Sequence, residues 1–183
     1  MGRKYSIRDQ DKFYFVTFTT ANWIDVFIRD EYRNIFIDSL KYCQNEKGLE
    51  IGAWCIMTNH VHLIIGSNGK NKLEDIIRAL KSYTSRHILK CIEYNSLESR
   101  KEWILWMMKR AGRKKSNNKD FQFWQQHNHP IELATNQMID QRVDYIHDNP
   151  VRARFVEGPS HWLYSSARDY EGTKGLLELV YLD

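Results

Sequence analysis

The sequence lacks the features that mark membrane, secreted and nucleotide-hydrolysing proteins. No run approaches the roughly 18 to 20 apolar residues of a membrane-spanning helix, and the first residues, MGRKYSIRDQDK, show no hydrophobic signal region. The nine glycines form neither GxxxxGK nor GxGxxG, so we expect no nucleotide cofactor. Only three cysteines are present, none in a CxxC pair, and we expect them to be reduced in a cytoplasmic protein.

Repeats and low-complexity segments are also absent. A chain of 183 residues with 42% hydrophobic residues fits one globular domain over residues 1–183. Within it we expect a basic helix-loop insertion over residues 100–120 and a C-terminal tail over residues 158–183.

Positive charge is concentrated in one segment, although the net charge is only +4. Residues 100–119 contain eight Lys or Arg and one acid, Glu102. Such a block favours a polyanionic partner, and a solvated loop is an equally good interpretation of the run alone. The 6 Trp, 10 Tyr and 8 Phe exceed what a small core needs, which indicates that some rings face a ligand.

Hydrophobic periodicity predicts the element order β-α-β-β-α-α-β-α. Strands are predicted at Lys12–Thr20, Leu49–Thr58 and Val61–Gly66, with a broken strand in FQFWQQ and HPIEL; helices are predicted at residues 28–48, Leu73–Tyr94, Glu102–Gly112 and 135–149. A hairpin between two helices, followed by a returning strand, fits an α+β fold. We expect a ferredoxin-like antiparallel sheet with helices packed mainly on one face.

Two histidines lie one residue apart in the apolar, β-branched run IMTNHVHLII (Ile56–Ile65). Because side chains alternate along a strand, His60 and His62 should project from one face, roughly 7 Å apart, while Val61 points into the core. Two imidazoles so placed can share one divalent metal ion. On spacing alone, two partly buried histidines bonded to backbone groups are the stronger interpretation.

A second group of polar residues lies in VDYIHDNPVRARFV. Tyr145 and Asn149 are four residues apart on the predicted helix and therefore share a face. The Asn149 amide oxygen can ligate a metal, the Tyr145 phenol is then within reach of what the metal binds, and Arg152 and Arg154 supply positive charge for a phosphate. A core tyrosine and a capping asparagine are the alternative. Pro150 is expected to end the helix after Asn149.

Taken in order, HVH, LKSYTSR, FWQ, YIHDNPVR and WLYSSARDY resemble segments of the single-tyrosine HUH (insertion-sequence 200-like) transposases, and within them the REP-associated tyrosine transposases. The resemblance spans Lys12 to Tyr170 and implies a fold of HUH endonuclease type. HVH alone is a weak signal, whereas the ordered set with YIHDNPVR is specific. The basic segment 100–120 is longer than expected for a minimal member.

The resemblance implies that Tyr145 is a nucleophile and that His60, His62 and Asn149 hold Mg²⁺ or Mn²⁺. The implied reaction is metal-dependent cleavage and rejoining of single-stranded DNA through a covalent 5′-phosphotyrosine, at hairpin-associated sites. Single-stranded or hairpin DNA is the implied partner, with no membrane involved, and the protein is implied to be a homodimer or a monomer. No general base is evident, since neither His147 nor Asp144 has suitable spacing.

Basic and aromatic residues are candidates for contacts with the DNA backbone and with unpaired bases. These are Arg78, Lys81, Arg86, Arg110, Arg113, Lys114, Lys115, Trp124, Arg152 and Arg154. Solvated helix faces and a core position for Trp124 are the alternatives. Two other functions are open: a non-catalytic DNA-binding domain with this fold, and a metal-dependent hydrolase with water as nucleophile, which no carboxylate at motif spacing supports.

Overall fold

The fold follows the predicted order of elements. The computed structural model describes residues 6–113 and 121–182. Its strands are β1 (Tyr14–Thr19), β2 (Leu49–Ile56), β3 (His60–Ser67) and β4 (Ile131–Glu132), and its helices are α1 (Asp30–Tyr42), α2 (Leu73–Tyr94), α3 (Lys101–Arg113), α4 (Asn136–Arg152) and α5 (Ala167–Tyr170). The predicted broken strand consists of a single bridge at Trp124 and the two residues of β4.

The four strands form one antiparallel sheet in the order β2-β3-β1-β4. In the β1–β3 ladder Thr17 lies opposite His62 and Thr19 lies opposite His60. The C-terminal tail covers the outer edge of β2, where Ile56 donates to the Tyr164 carbonyl. An edge strand that is covered in this way does not offer its backbone groups to another chain.

The first face of the sheet carries the main core. Val61, Leu63 and Ile65 of β3 are fully buried there, against side chains of α1, α2 and α3. The alternation of β3 therefore places every second residue in this core, as the sequence predicts. Three of the four long helices lie on this face, which confirms the α+β architecture with helices mainly on one side.

The second face is covered by α4 over a smaller core. Phe15, Ala53 and Ile64 from the sheet pack there against Val143 and Ile146 of α4. His60 and His62 project from this second face, because they alternate with the residues of the main core. The sheet thus presents the histidines to α4 and not to α1 or α2.

Helix α4 begins as predicted and ends later than predicted. Thr135 is the N-cap, and its side chain accepts a hydrogen bond from the Met138 N–H. The expectation that Pro150 ends the helix is wrong, because α4 continues to Arg152 with Pro150 buried inside it. A proline this near the end removes only one intrahelical donor, and its burial offsets that loss.

Two further observations complete the fold. All three cysteines are free, as predicted, with Cys43 and Cys55 buried and Cys91 half-buried. Within residues 6–113 and 121–182, no helix is both long and apolar enough to cross a membrane.

Candidate metal and nucleophile site

The two histidine rings meet on the second face of the sheet. Their ring centres are 4.7 Å apart at an interplanar angle of 72°. His62 is buried and His60 is half-buried, whereas Val61 between them is fully buried on the opposite face. The strand therefore brings both imidazoles to one place, as their spacing predicts.

Each ring is held through its Nδ1 atom. Thr17 Oγ1 lies 2.8 Å from His62 Nδ1, and Asn59 Oδ1 lies 2.7 Å from His60 Nδ1. Because the Asn59 oxygen is an acceptor, His60 donates from Nδ1 and keeps the lone pair of Nε2. His62 Nε2 is buried without a hydrogen-bond partner among the described residues. Imidazoles that ligate metals are oriented in this way, by a bond to the other ring nitrogen.

Burial keeps both histidines neutral. Desolvation lowers the pKa of His60, and it lowers the pKa of His62 to about 3, with smaller contributions from the charges of His60 and Arg142. A neutral imidazole is the form that binds a metal. The unpaired, buried Nε2 of His62 costs free energy that a bound cation would recover.

Helix α4 brings Tyr145 to the histidines. The Tyr145 ring centre lies 5.3 Å from that of His62, at an interplanar angle of 68°. Phe15 lies against both rings, 5.5 Å from His62 and 6.0 Å from Tyr145. Tyr145 is half-buried, so the packing fixes its ring and leaves part of it accessible.

Asn149 stands one turn beyond Tyr145 on the same flank of α4. Its Nδ2 atom donates to the Tyr145 carbonyl over 3.0 Å, which leaves Oδ1 as the atom that a cation would use. Two imidazole nitrogens and one amide oxygen suit a divalent metal of the Mn²⁺ kind, with Mg²⁺ bound more weakly. No cluster of three or more His, Cys, Asp or Glu that would hold a metal is found in residues 6–113 and 121–182. Asn149 as a third ligand stays a prediction.

Arginines stand beside Tyr145 along α4. Arg142 precedes Tyr145 by one turn, and its guanidinium lies 4.9 Å from the centre of the Phe15 ring. Arg152, two turns after Tyr145, lines the same surface cavity of about 560 Å³ as Tyr145. His147 lines this cavity too, but its Nε2 lies 2.8 Å from Ser166 Oγ, so it is engaged with the C-terminal tail.

The other predicted DNA-contacting residues fall into two groups. Arg110, Arg113 and Arg154 are exposed, and the Arg110 guanidinium lies 5.2 Å from the centre of the exposed Trp106 ring. Lys114 and Lys115 lie outside the described residues. Arg78 and Arg86 are exposed on α2, across the sheet from the histidines, and Arg78 pairs with Asp75 over 2.6 Å.

Two residues predicted to contact DNA, Trp124 and Lys81, have partners inside the domain. The Trp124 ring is buried among Phe18, Phe27 and Phe36, and its Nε1 donates to Thr84, so it cannot stack on a base. Lys81 is turned inward, where its ammonium donates to the Gln125 carbonyl and to Asn128 Oδ1. Burial lowers the pKa of Lys81 to about 8. Both side chains fix the segment 122–128 to the domain.

Four residues near the site were missed at the level of sequence. Thr17 and Asn59 orient the histidines, Arg142 adds charge, and Trp23 lies beside His60 with ring centres 6.2 Å apart. Asn59 is adjacent to His60 in sequence, and Arg142 precedes Tyr145 by one helical turn, so both could have been found by spacing. Thr17 requires the β1–β3 register, which the sequence does not display.

Comparison with known proteins places the chain in a family. The family model described as "Transposase IS200 like" matches residues 12–109. A REP-associated tyrosine transposase bound to a REP hairpin shares the fold with a TM-score of 0.63 and 18% identity, over 100% of this chain and 94% of that chain. A candidate transposase from Deinococcus radiodurans R1 aligns with a TM-score of 0.45 and 20% identity, over 81% of this chain and 95% of that one. No curated protein matches the sequence.

Proposed function

The chain belongs to the IS200-like transposase family, and from this premise we propose that it cleaves and rejoins single-stranded DNA through a phosphotyrosine on Tyr145. The observation that carries the proposal is the Tyr145 ring packed 5.3 Å from the ring of His62, whose buried Nε2 atom has no hydrogen-bond partner among the described residues. A phenol, two neutral imidazoles and nearby arginines form a set suited to phosphoryl transfer.

The reaction exchanges one phosphodiester for another. The Tyr145 oxygen attacks the scissile phosphorus, its proton passes to solvent, and the bond to the 3′ oxygen breaks. The 3′ oxygen takes up a proton, and the 5′ side stays linked to Tyr145. A 3′-hydroxyl of a second strand then attacks the same phosphorus and loses its proton to solvent. The bond to Tyr145 breaks, and the Tyr145 oxygen takes up a proton. Bond energy is conserved at each step, so no nucleotide cofactor is needed.

His60, His62 and Asn149 would hold Mg²⁺ or Mn²⁺. When bound, the cation supplies positive charge to the phosphate oxygens as negative charge gathers on them. The donor set carries no formal negative charge, so it leaves the charge of the cation for the phosphate. Thr17 and Asn59 contact the Nδ1 atoms of the two rings, which leaves the Nε2 atoms for the cation.

Arg142 and Arg152 flank Tyr145 and would bind the phosphates on either side of the scissile bond. A guanidinium group can donate two parallel hydrogen bonds to the oxygens of one phosphate. Two such contacts would fix the orientation of the DNA strand and its position along the site. Exposed Arg110, Arg113 and Arg154 extend the positive surface away from this centre. A hairpin next to the cleaved strand is part of the proposal, and the structural neighbour bound to a REP hairpin supports it.

The test is covalent capture of DNA. Labelled hairpin oligonucleotides with single-stranded arms are incubated with the protein and Mn²⁺, then run on a denaturing gel. We expect a protein–DNA adduct that Tyr145→Phe abolishes, because phenylalanine has no oxygen to attack the phosphorus. Tyr94→Phe is the matched control, because Tyr94 is an exposed tyrosine of α2, and it should form the adduct normally.

Two outcomes would contradict the proposal. Cleavage that survives in Tyr145→Phe would indicate that water is the nucleophile, as in a metal-dependent hydrolase. Tight binding of the hairpins by the unmodified protein, with no adduct under any metal, would indicate a DNA-binding domain without catalysis. Chelation with EDTA should abolish the adduct and leave most of the binding in place.

A further inference from the structure

A short turn between β1 and α1 has an unusual backbone beside the histidines. Asn22 and Trp23 both have φ of 56°, in the left-handed region that residues with a Cβ avoid. Residues held in this region cost about 1 to 3 kcal/mol each and persist where the surroundings fix them. Here the surroundings include Asn59, whose Nδ2 donates to the Trp23 carbonyl.

This turn presents an aromatic face to solvent. The Trp23 side chain is 59% exposed, although its ring lies 6.2 Å from that of His60. Asn59 links the two, because its amide nitrogen holds the Trp23 carbonyl and its oxygen holds His60 Nδ1. The position of the indole is therefore tied to that of a candidate metal ligand, and packing against the described residues leaves 59% of the side chain exposed.

A pocket of about 430 Å³ opens next to the indole. It lies between the turn, the Ala111 end of α3 and the loop that follows residue 121. Gln125, Gln126 and His127 line it, and of the described residues that line it none is acidic. Lys81 fixes the loop from within by donating to Gln125 and Asn128, so the pocket wall is preformed.

We propose that Trp23 and this pocket bind one unpaired nucleobase of the DNA strand, adjacent to the phosphate at the histidine pair. The proposal rests on the proposed function and adds the residue that stacks on the base. The indole supplies a flat face, and the amides and imidazole supply donors and acceptors for a base edge. Arg110 and Arg113, at the adjacent end of α3, supply charge for the phosphates that follow.

The test measures DNA binding apart from chemistry. In the Tyr145→Phe background, a fluorescein-labelled hairpin with a single-stranded thymidine arm is titrated with protein, and anisotropy gives the Kd. We expect Trp23→Ala to weaken binding roughly tenfold or more, with Trp23→Phe closer to the parent. Tyr94→Ala removes an exposed aromatic ring that is not part of the pocket, and should leave the Kd unchanged.

A second variant separates binding from folding. Trp23→Gly removes the same ring but suits the left-handed backbone, so its thermal midpoint should equal or exceed that of the parent. Its Kd should nevertheless rise as in Trp23→Ala. Weak binding together with a lowered midpoint in both variants would overturn the proposal, because the ring would then act through folding.

An abasic scan identifies the base. Each thymidine of the arm is replaced in turn by an abasic nucleotide, while the unchanged hairpin holds the arm in the same position on the protein. One or two positions should lose affinity with the parent protein, and this loss should vanish with Trp23→Ala, because the stacked base and the ring form one contact. A scan that gives the same losses with both proteins would overturn the proposal.

The outcomes separate this inference from the proposed function. If the adduct on Tyr145 forms and Trp23→Ala binds DNA like the parent, only the base pocket is wrong. If the unmodified protein neither binds the arm nor forms an adduct, both are wrong.

Discussion

The two faces of the sheet are built by the same strands and yet have different contents. On β3, Leu63 is fully buried in the main core, whereas its neighbour His62 is buried on the second face with an Nε2 atom that no described residue bonds. Three helices cover the first face, and one helix with a polar flank covers the second. The first face therefore supplies the stability that allows the second to hold polar groups at a cost.

The sharpest test of this difference is a pair of substitutions on adjacent residues. Leu63→Ala should lower the free energy of unfolding by about 2 to 5 kcal/mol, because it leaves a cavity in the main core. His62→Leu should change it by less than about 1 kcal/mol in metal-free protein, since it removes an unpaired polar atom. Denaturant unfolding measures both values.

The same pair should behave in the opposite way in the adduct assay. Leu63→Ala should retain covalent capture of DNA at temperatures where it is folded, and His62→Leu should lose it. If His62→Leu instead destabilises the protein as much as Leu63→Ala, the second face is an ordinary core and the comparison fails.

Acid should act on the second face first. Burial lowers the pKa of His62 to about 3 and the pKa of His147 to about 4, and both residues lie on that face. The ordinary pKa of histidine in the unfolded chain is about 6.5. At pH values between the folded and the unfolded pKa, the unfolded chain binds more protons than the folded protein, so the free energy of unfolding falls as the pH falls. Between pH 7 and pH 5, each of the two histidines should lower the free energy of unfolding by about 2 kcal/mol.

Unfolding in denaturant at the two pH values measures this loss. His147→Gln keeps a polar partner for Ser166 and should reduce the loss by about 2 kcal/mol. Hydrogen exchange at pH 5 should show α4 amides losing protection before those of α1. An equal loss in His147→Gln and the parent would show that these histidines do not govern the acid response.

The Nδ1 bond to Thr17 should control metal affinity more than stability. Thr17→Val keeps the shape of the side chain and removes the hydroxyl that lies 2.8 Å from His62 Nδ1. Loss of such an orienting bond typically weakens metal binding about 10- to 100-fold. Mn²⁺ titration by calorimetry measures the effect. Thr19→Val, two residues along β1 and opposite His60, is the matched control and should bind Mn²⁺ with nearly the parent affinity.

The sequence predicts the features of the site that depend on residues close together in the chain, and it does not predict those that depend on residues far apart. Alternation on β3 predicts that His60 and His62 share a face, and helical spacing predicts that Tyr145 and Asn149 share a flank. These are local periodicities. The position of α4 on the histidine side depends on the packing of the whole sheet, and it was inferred only from the family resemblance.

Residue type did not predict the positions of side chains that have both an apolar part and a polar end. Lys81 and Trp124 each combine an apolar part with a polar end, so their residue types fit a buried and an exposed position equally well. The structure buries Trp124 and half-buries Lys81, because the loop after residue 121 folds over α2 and gives their polar ends partners. That loop is distant in sequence, and no local pattern shows where it lies.

The smallest predicted effect concerns Arg154 at the end of α4, where substitutions distinguish backbone strain from DNA binding. Arg154 has φ of 60°, and the Arg154 and Phe155 N–H groups donate to the carbonyls of Val151 and Pro150. This is the Schellman arrangement, in which glycine is preferred at the left-handed position. Arg154→Gly should therefore raise the free energy of unfolding by about 1 kcal/mol.

Arg154→Gly should also weaken DNA binding at low salt and reduce the slope of log Kd against log salt by about one phosphate contact. Arg154→Lys keeps both the charge and the strain, and should match the parent in both measurements. A stabilised Arg154→Gly with an unchanged salt slope would show that this arginine does not contact the DNA backbone.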